Sequence, residues 1–290
     1  MSPACCPSGS WPQLLATSNE DLNKDDAPAP KGEILSVPVE GQDKLPIYYV
    51  NAAEGKATKG SIMVLPDIYS VRALLPHVRS GDRIGCICDA LAEEGYNVAL
   101  VGIFRAQPYD EAIKAPEDGD YLQFNSFAQD GGVAWFQKQS YEVLGPCVKS
   151  AAAFLEEKSP KEPLGVLGFC FGQWLQCKAS STGDVNFACA VGCHPTSVLE
   201  NAVFGRDEVA MMNGLKQPTL ALWAKNDAET YTGEGSCKKA IEKSGGKVEE
   251  FPDMLHGWVS RGCVADPAVK AGVESAVDMI KAFFDEHMKQ

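Results

Sequence analysis

From Lys31 onward, short apolar runs alternate with stretches of helical spacing. Glu33–Val39 and Leu45–Val50 predict two strands around a Gly41-Gln42-Asp43 turn, an antiparallel edge pair whose prolines suit an edge. Gly60–Pro66 and Asn97–Ile103 are apolar runs of strand length, as buried strands are. Between them, Asp82–Glu94 carries Ile84, Ile87, Cys88 and Leu91 at helical spacing and stops at Gly95. Ser140–Lys158 predicts a helix with Val143, Cys147, Ala151 and Phe154 on one face. Leu164–Leu167, Asn186–Cys193, Gln217–Ala224 and Lys247–Phe251 predict further strands. Helices are expected over Gln173–Ala179, Gly235–Ser244 and Asp266–Phe284, the last with Asp266 as N-cap and Pro267 at its first position. Strands alternating with helices place the chain in the α/β class, with a mainly parallel, doubly wound sheet flanked by helices. No internal repeat interrupts residues 31–290, which read as one domain. Residues 1–30 read as a flexible acidic tail, from the polar, proline-punctuated Asn19–Pro30. Residues 105–132 have no period and read as an excursion beside an active site, shaping a pocket together with 195–217.

Composition narrows the classes. With 45% hydrophobic residues, 290 residues can bury a sizeable core. A formal charge of -13 opposes nonspecific binding to nucleic acid or to an anionic membrane. There is no run of roughly 20 apolar residues, so no transmembrane helix is expected. The same acidic charge suits a small-molecule substrate, and the start Met1-Ser-Pro-Ala-Cys-Cys-Pro7 lacks the features of a secretory signal, which points to the cytoplasm. Of the 11 cysteines, Cys86, Cys88, Cys177, Cys189 and Cys193 fall in apparent core elements and read as small buried hydrophobes. Their spacing matches no zinc motif, so neither a metal nor a cofactor is expected.

Candidate chemistry gathers where strands end. In such a sheet, ligands bind outside the carboxyl ends of the strands. There stand Asp67, Arg105, Cys170, His194, Asp227 and His256. Gly168-Phe-Cys-Phe-Gly172 is a G-x-C-x-G pentapeptide between a strand-like run and a helix-compatible segment, the pattern of a nucleophile elbow with cysteine for serine. A chance match in a buried βα turn would look the same. What favours chemistry is that Asp227 follows Cys170 by 57 residues and His256 follows Asp227 by 29, giving nucleophile, acid and base in that order. Asp227 could also be a loop acid and His256 a histidine packed beside Trp258. His194, constrained by Pro195, reads as structural, and His77 and His287 read as solvated.

The motifs Leu65-Pro-Asp-Ile-Tyr69, Gly168–Gly172, Cys193-His-Pro195, Asp227 and His256-Gly-Trp-Val-Ser-Arg-Gly262 together resemble the dienelactone hydrolase family of the α/β-hydrolase superfamily. Cys5-Cys6-Pro-Ser-Gly9 resembles the opening of eukaryotic members. The resemblance implies an α/β-hydrolase fold and a Cys170–His256–Asp227 triad that cleaves small esters or enol-lactones through a thioester. It implies an oxyanion hole from the amides of Ile68 and Phe171, Asp67 in the place of a glutamate that touches the resting cysteine, and Arg105 and Arg261 holding a substrate carboxylate. Two other readings compete: a non-catalytic assembly subunit on a hydrolase fold, and a thiol redox sensor. The chain is expected as a monomer or homodimer, with the tail as a possible protein contact.

Overall fold

Eight strands make one sheet, in the order β1 (Glu33–Val39), β2 (Gln42–Val50), β4 (Asn97–Val101), β3 (Ser61–Leu65), β5 (Leu164–Phe169), β6 (Cys189–Cys193), β7 (Thr219–Ala224), β8 (Lys247–Phe251). The structure is a computed structural model and describes residues 31–55, 58–68, 83–104 and 132–289. The tail, Cys5-Cys6, His77, Arg105 and the stretch 105–131 lie outside the described residues.

β1 and β2 are antiparallel, and β2 runs antiparallel to β4; every other neighbouring pair is parallel. The central strands β3, β4 and β6 are buried at every position, which is why they read as unbroken apolar runs rather than alternating ones. The β1–β2 hairpin does form one edge, but β2 itself is interior. Pro46 is tolerated there because the ladder to β4 begins only at Ile47, and the Pro46 carbonyl accepts from the Gly102 amide at 2.8 Å.

Nine helices are described: α1 (Arg83–Glu93), α2 (Gly132–Lys138), α3 (Tyr141–Lys158), α4 (Phe171–Thr182), α5 (Leu199–Ala202), α6 (Glu208–Asn213), α7 (Ser236–Lys243), α8 (Trp258–Arg261) and α9 (Pro267–His287). They pack in two groups, α1 with α8 and α9, and α3 with α4, α6 and α7, as a doubly wound sheet requires. The Asp266 side chain caps α9 by accepting from the Ala268 amide at 2.8 Å, with Pro267 in the first turn as the sequence predicts. α3 is rotated from its expected face. Leu144, Cys147, Val148, Ala151 and Leu155 are buried, whereas Val143 is 42% exposed and Phe154 packs edge-on against Tyr49. Cys86 is exposed on α1, against the core role expected of it, while Cys88, Cys177, Cys189 and Cys193 are buried. Among the described residues no helix is long and apolar enough to cross a membrane.

Because β3 to β8 run parallel, their carboxyl ends lie along one side of the sheet, at Leu65, Val101, Phe169, Cys193, Ala224 and Phe251. Two backbone bonds carry the ladder past the strand ends: the Cys170 amide donates to the Cys193 carbonyl at 3.0 Å, and the His194 amide donates to the Leu222 carbonyl at 2.8 Å. These bonds fix Cys170 and His194 side by side.

Candidate active site

β5 turns into α4 through a single residue, Cys170, at φ 50° and ψ -114°. L-residues rarely hold such angles, and they persist only where the surroundings impose them. Both glycines of the motif are needed for space. A Cβ on Gly168 would sit 2.6 Å from the Gly172 carbonyl, and one on Gly172 would sit 2.1 Å from the Leu65 carbonyl oxygen. α4 therefore starts hard against the end of β3, with Gly172 alongside Leu65 and Pro66. The turn is pinned from outside by Thr196, whose hydroxyl donates to the Cys170 carbonyl at 2.6 Å. Thr196 is held in turn by Gln173 Oε1, which accepts the Thr196 amide at 2.8 Å. Gln173 Nε2 donates to the Tyr231 hydroxyl at 3.0 Å, and Tyr231 donates to Ser197 Oγ at 2.6 Å. Phe171 is buried among Phe104, Phe136 and Trp174, an aromatic wall over the start of the helix.

The acid and the histidine arrive from the next strand ends. Asp227 follows β7, and its Oδ2 accepts the Ala224 amide at 2.8 Å. Its Oδ1 meets His256 Nδ1 at 2.5 Å, with both residues buried. The neighbouring Asn226 side chain accepts the His256 amide at 2.7 Å, so adjacent residues of one turn hold both the backbone and the ring of His256. Cys170 Sγ, a ring nitrogen of His256 and a ring nitrogen of His194 all lie within 4.8 Å of one another.

His194, read from the sequence as structural, lies buried beside this cluster. It sits at φ 42°, and its ring meets His256 edge-on at 4.9 Å between Phe169 and Trp258. Ser260 Oγ lies 3.4 Å from His194 Nε2 and donates to Asp67 Oδ2 at 2.7 Å. Asp67 Oδ2 also accepts from Arg261 Nη1 in an ion pair whose members are both buried. Asp67 and Arg261 thus stand together beside the histidines. The turn of α8 that supplies Ser260 and Arg261 is clamped from below by Arg83, which donates to the carbonyls of Trp258 at 3.2 Å and Gly262 at 2.7 Å. Burial pulls the Arg83 guanidinium down to about 10.

Burial also sorts the thiols. It pushes Cys189 up to about 12 and holds Cys177 and Cys193 far above the ordinary thiol value. Cys237 is also raised to about 12, through burial and the nearby Glu208 carboxylate. Those cysteines stay neutral. Cys170 differs in place: it lies at the N-terminus of a 12-residue helix, with a ring nitrogen of each of two imidazoles within 4.8 Å of its Sγ.

The sequence model of the dienelactone hydrolase family matches residues 49–288. The chain belongs to the dienelactone hydrolase family. It is accordingly a hydrolase of the carboxylic-ester and lactone class. A carboxymethylenebutenolidase homolog from Rattus norvegicus is 26% identical to this hydrolase over 200 residues, 66% of this chain and 70% of the relative. The fold matches that of a dienelactone hydrolase from Anabaena variabilis with a TM-score of 0.54, at 14% identity, over 90% of this chain and 100% of the other. Est1E from Butyrivibrio proteoclasticus matches with a TM-score of 0.59 at 9% identity, over 88% and 98% of the two chains. Both matches are to α/β-hydrolase folds. Of the residues singled out in the sequence, Cys170, Asp227, His256, Asp67 and Arg261 gather at one end of this hydrolase's sheet. Ile68 and Phe171 flank the β3–α4 contact.

Proposed function

We propose that this hydrolase cleaves small esters or enol-lactones with Cys170 as nucleophile, His256 as general base and acid, and Asp227 as the group that orients the imidazole. The observation that carries the proposal is the 2.5 Å contact of Asp227 Oδ1 with His256 Nδ1, next to a cysteine at positive φ whose Sγ is within 4.8 Å of the imidazole. With Nδ1 facing the carboxylate, Nε2 is the nitrogen that takes the Cys170 proton. The thiolate attacks the carbonyl carbon, and the oxyanion is held by the Ile68 and Phe171 amides. One such donor is typically worth ~3 kcal/mol of barrier. As the tetrahedral species collapses, His256 returns its proton to the departing alkoxide or enolate, leaving a thioester on Cys170. His256 then takes a proton from water, the hydroxide adds to the thioester, and the carboxylate product leaves with Cys170 restored. A thiolate is a good leaving group, so activated esters and enol-lactones suit this nucleophile better than amides. Arg261 can take a substrate carboxylate by exchanging it for Asp67, which makes the Asp67–Arg261 pair a modulator of the site. Arg105 is the second proposed carboxylate partner.

The test compares wild type with Cys170→Ala on 4-nitrophenyl acetate and on a dienelactone. The variant is expected to lose on the order of 10³-fold or more in kcat. Acid-quenched wild type should carry an acyl mass on the peptide containing Cys170. A Cys170→Ala protein with full turnover refutes the assignment.

A further inference from the structure

We propose that Cys170, His194 and His256 form a binding site for a single zinc ion, and that its occupation arrests the hydrolase. The arrest, though not the binding, rests on the roles given above to Cys170 and His256. The proposal begins with the cluster itself. A thiol sulfur and two imidazole nitrogens from three different strand ends lie within 4.8 Å of one another, and all three side chains are fully buried. One thiolate with two imidazoles is the donor set of zinc and its soft neighbours, and it suits neither magnesium nor calcium. Bonds of about 2.0–2.3 Å in a tetrahedron place such ligand atoms roughly 3.3–3.8 Å apart, so closing on the ion requires about 1 Å of side-chain movement.

The surroundings are those of a metal site. A metal-bound imidazole characteristically has its other nitrogen oriented by a carboxylate or hydroxyl. His256 has Asp227 on Nδ1 at 2.5 Å. His194 has Ser260 3.4 Å from Nε2, and Ser260 is in turn bonded to Asp67. The two ligands that follow strands β5 and β6 are also two of the three non-glycine residues with positive φ among the described residues. Strain of this kind collects where side chains are aimed at a ligand. Ester cleavage uses Cys170, His256 and Asp227 and gives His194 no task. A zinc ion gives it one.

Binding releases the Cys170 proton to solvent as the sulfur joins the metal, and it takes the imidazole lone pair that ester cleavage needs. The fourth position falls to water, for which no general base remains because His256 is itself a ligand. The bound form is therefore inactive and protected, and it returns when a chelator removes the ion.

Chelator-treated full-length protein, titrated with cobalt(II) as the spectroscopic stand-in for zinc, tests the site directly. One equivalent should produce an intense thiolate-to-cobalt charge-transfer band with the visible bands of a tetrahedral ion, and Cys170→Ser should abolish the charge-transfer band. Zinc should stop hydrolysis of 4-nitrophenyl acetate, and EDTA should restore it. Relative to its own zinc-free rate, His194→Gln should need at least about tenfold more zinc for half-inhibition, since loss of even an outer partner costs that much affinity. Wild-type protein that binds cobalt without a charge-transfer band overturns the proposal, whatever the variants do. So does a His194→Gln protein inhibited at the wild-type zinc concentration. If Cys170→Ala instead kept full ester hydrolysis, the nucleophile assignment would fall, and the wild-type cobalt spectrum would still decide the metal site.

Discussion

Gly172→Ala isolates the contact on which the site is built. Gly172 is the second residue of α4 and has no positive φ, so its backbone would accept alanine. Helix propensity alone favours the change by up to about 1 kcal/mol. The space does not. The new Cβ would lie 2.1 Å from the Leu65 carbonyl oxygen, 2.6 Å from the Leu65 carbonyl carbon and 2.8 Å from the Pro66 oxygen. All three are backbone atoms of a central strand end, with no rotamer to yield. Restoring ordinary contact means moving the start of α4 away from β3 by about 1 Å, and a misplacement of that size costs on the order of 10²-fold in rate. The same displacement overpacks a buried junction, at about 1–3 kcal/mol of stability. Gly145→Ala is the control, because it too adds a methyl to a buried helix position but meets only the Tyr141 ring, at 3.2 Å. The assays are kcat/KM on 4-nitrophenyl acetate and urea unfolding. If Gly172→Ala matched wild type within about threefold in kcat/KM and kept its urea midpoint, the β3–α4 contact would not be what sets the elbow.

Gln173→Leu should lower stability by about 1–3 kcal/mol in urea, because it strips a partner from the buried Thr196 amide and from Tyr231; a loss below ~0.5 kcal/mol would mean that water or a shift of the chain replaces those bonds. Arg83→Met should lower kcat/KM as well as stability, since three carbonyls around α8 lose their common donor; a loss of stability with kcat/KM intact would confine Arg83 to the fold. Above pH 9 the protein should lose stability. The Cys189 thiol has a folded value raised by burial from 9.0 to about 12, so its contribution is whole below about 9 and is lost as the pH climbs toward 12. Each such proton steepens the fall by about 1.4 kcal/mol per pH unit, and Cys189→Ala should remove that slope when urea midpoints are compared between pH 9 and 11.

Much of this architecture is legible in the sequence because its causes are local. Continuous apolar runs five or six residues long appear as the buried strands, Gly95 ends α1, and Asp266-Pro267 opens α9. The elbow is legible for the same reason: two glycines spaced around one residue record a steric demand that nothing else would satisfy. What escapes reading depends on distant partners. The face of α3 is decided by the strands beneath it, so Leu144 turns inward where the period alone pointed to Val143. Helices α5, α6 and α8, of four to six residues, are too short to show a period. Asp67 and Arg261 stand 194 positions apart, and nothing in either neighbourhood announces that they pair.

The cysteines show how far residue type falls short of chemistry. Nine free thiols are described, and the sequence offers no ranking of their reactivity beyond one motif. The fold ranks them by surroundings. Cys177 lies on α4 and Cys189 and Cys193 on β6, the two elements that meet at the site, and burial is the main cause that keeps them protonated. Cys170 is equally buried, so exposure is not what sets it apart. The differences are a helix N-terminus that begins at the next residue, two imidazoles in reach, and a backbone held at positive φ by bonds from Cys193 and Thr196. Those bonds come from the strand end that also carries His194. The same short segment, 193–196, therefore holds the elbow in its strained shape and delivers a second imidazole to its sulfur. A change that relaxed this segment would loosen the proposed nucleophile and move the histidine together. For that reason ester turnover and zinc inhibition have to be read separately on His194→Gln, where the ring changes and the backbone that shapes the elbow does not.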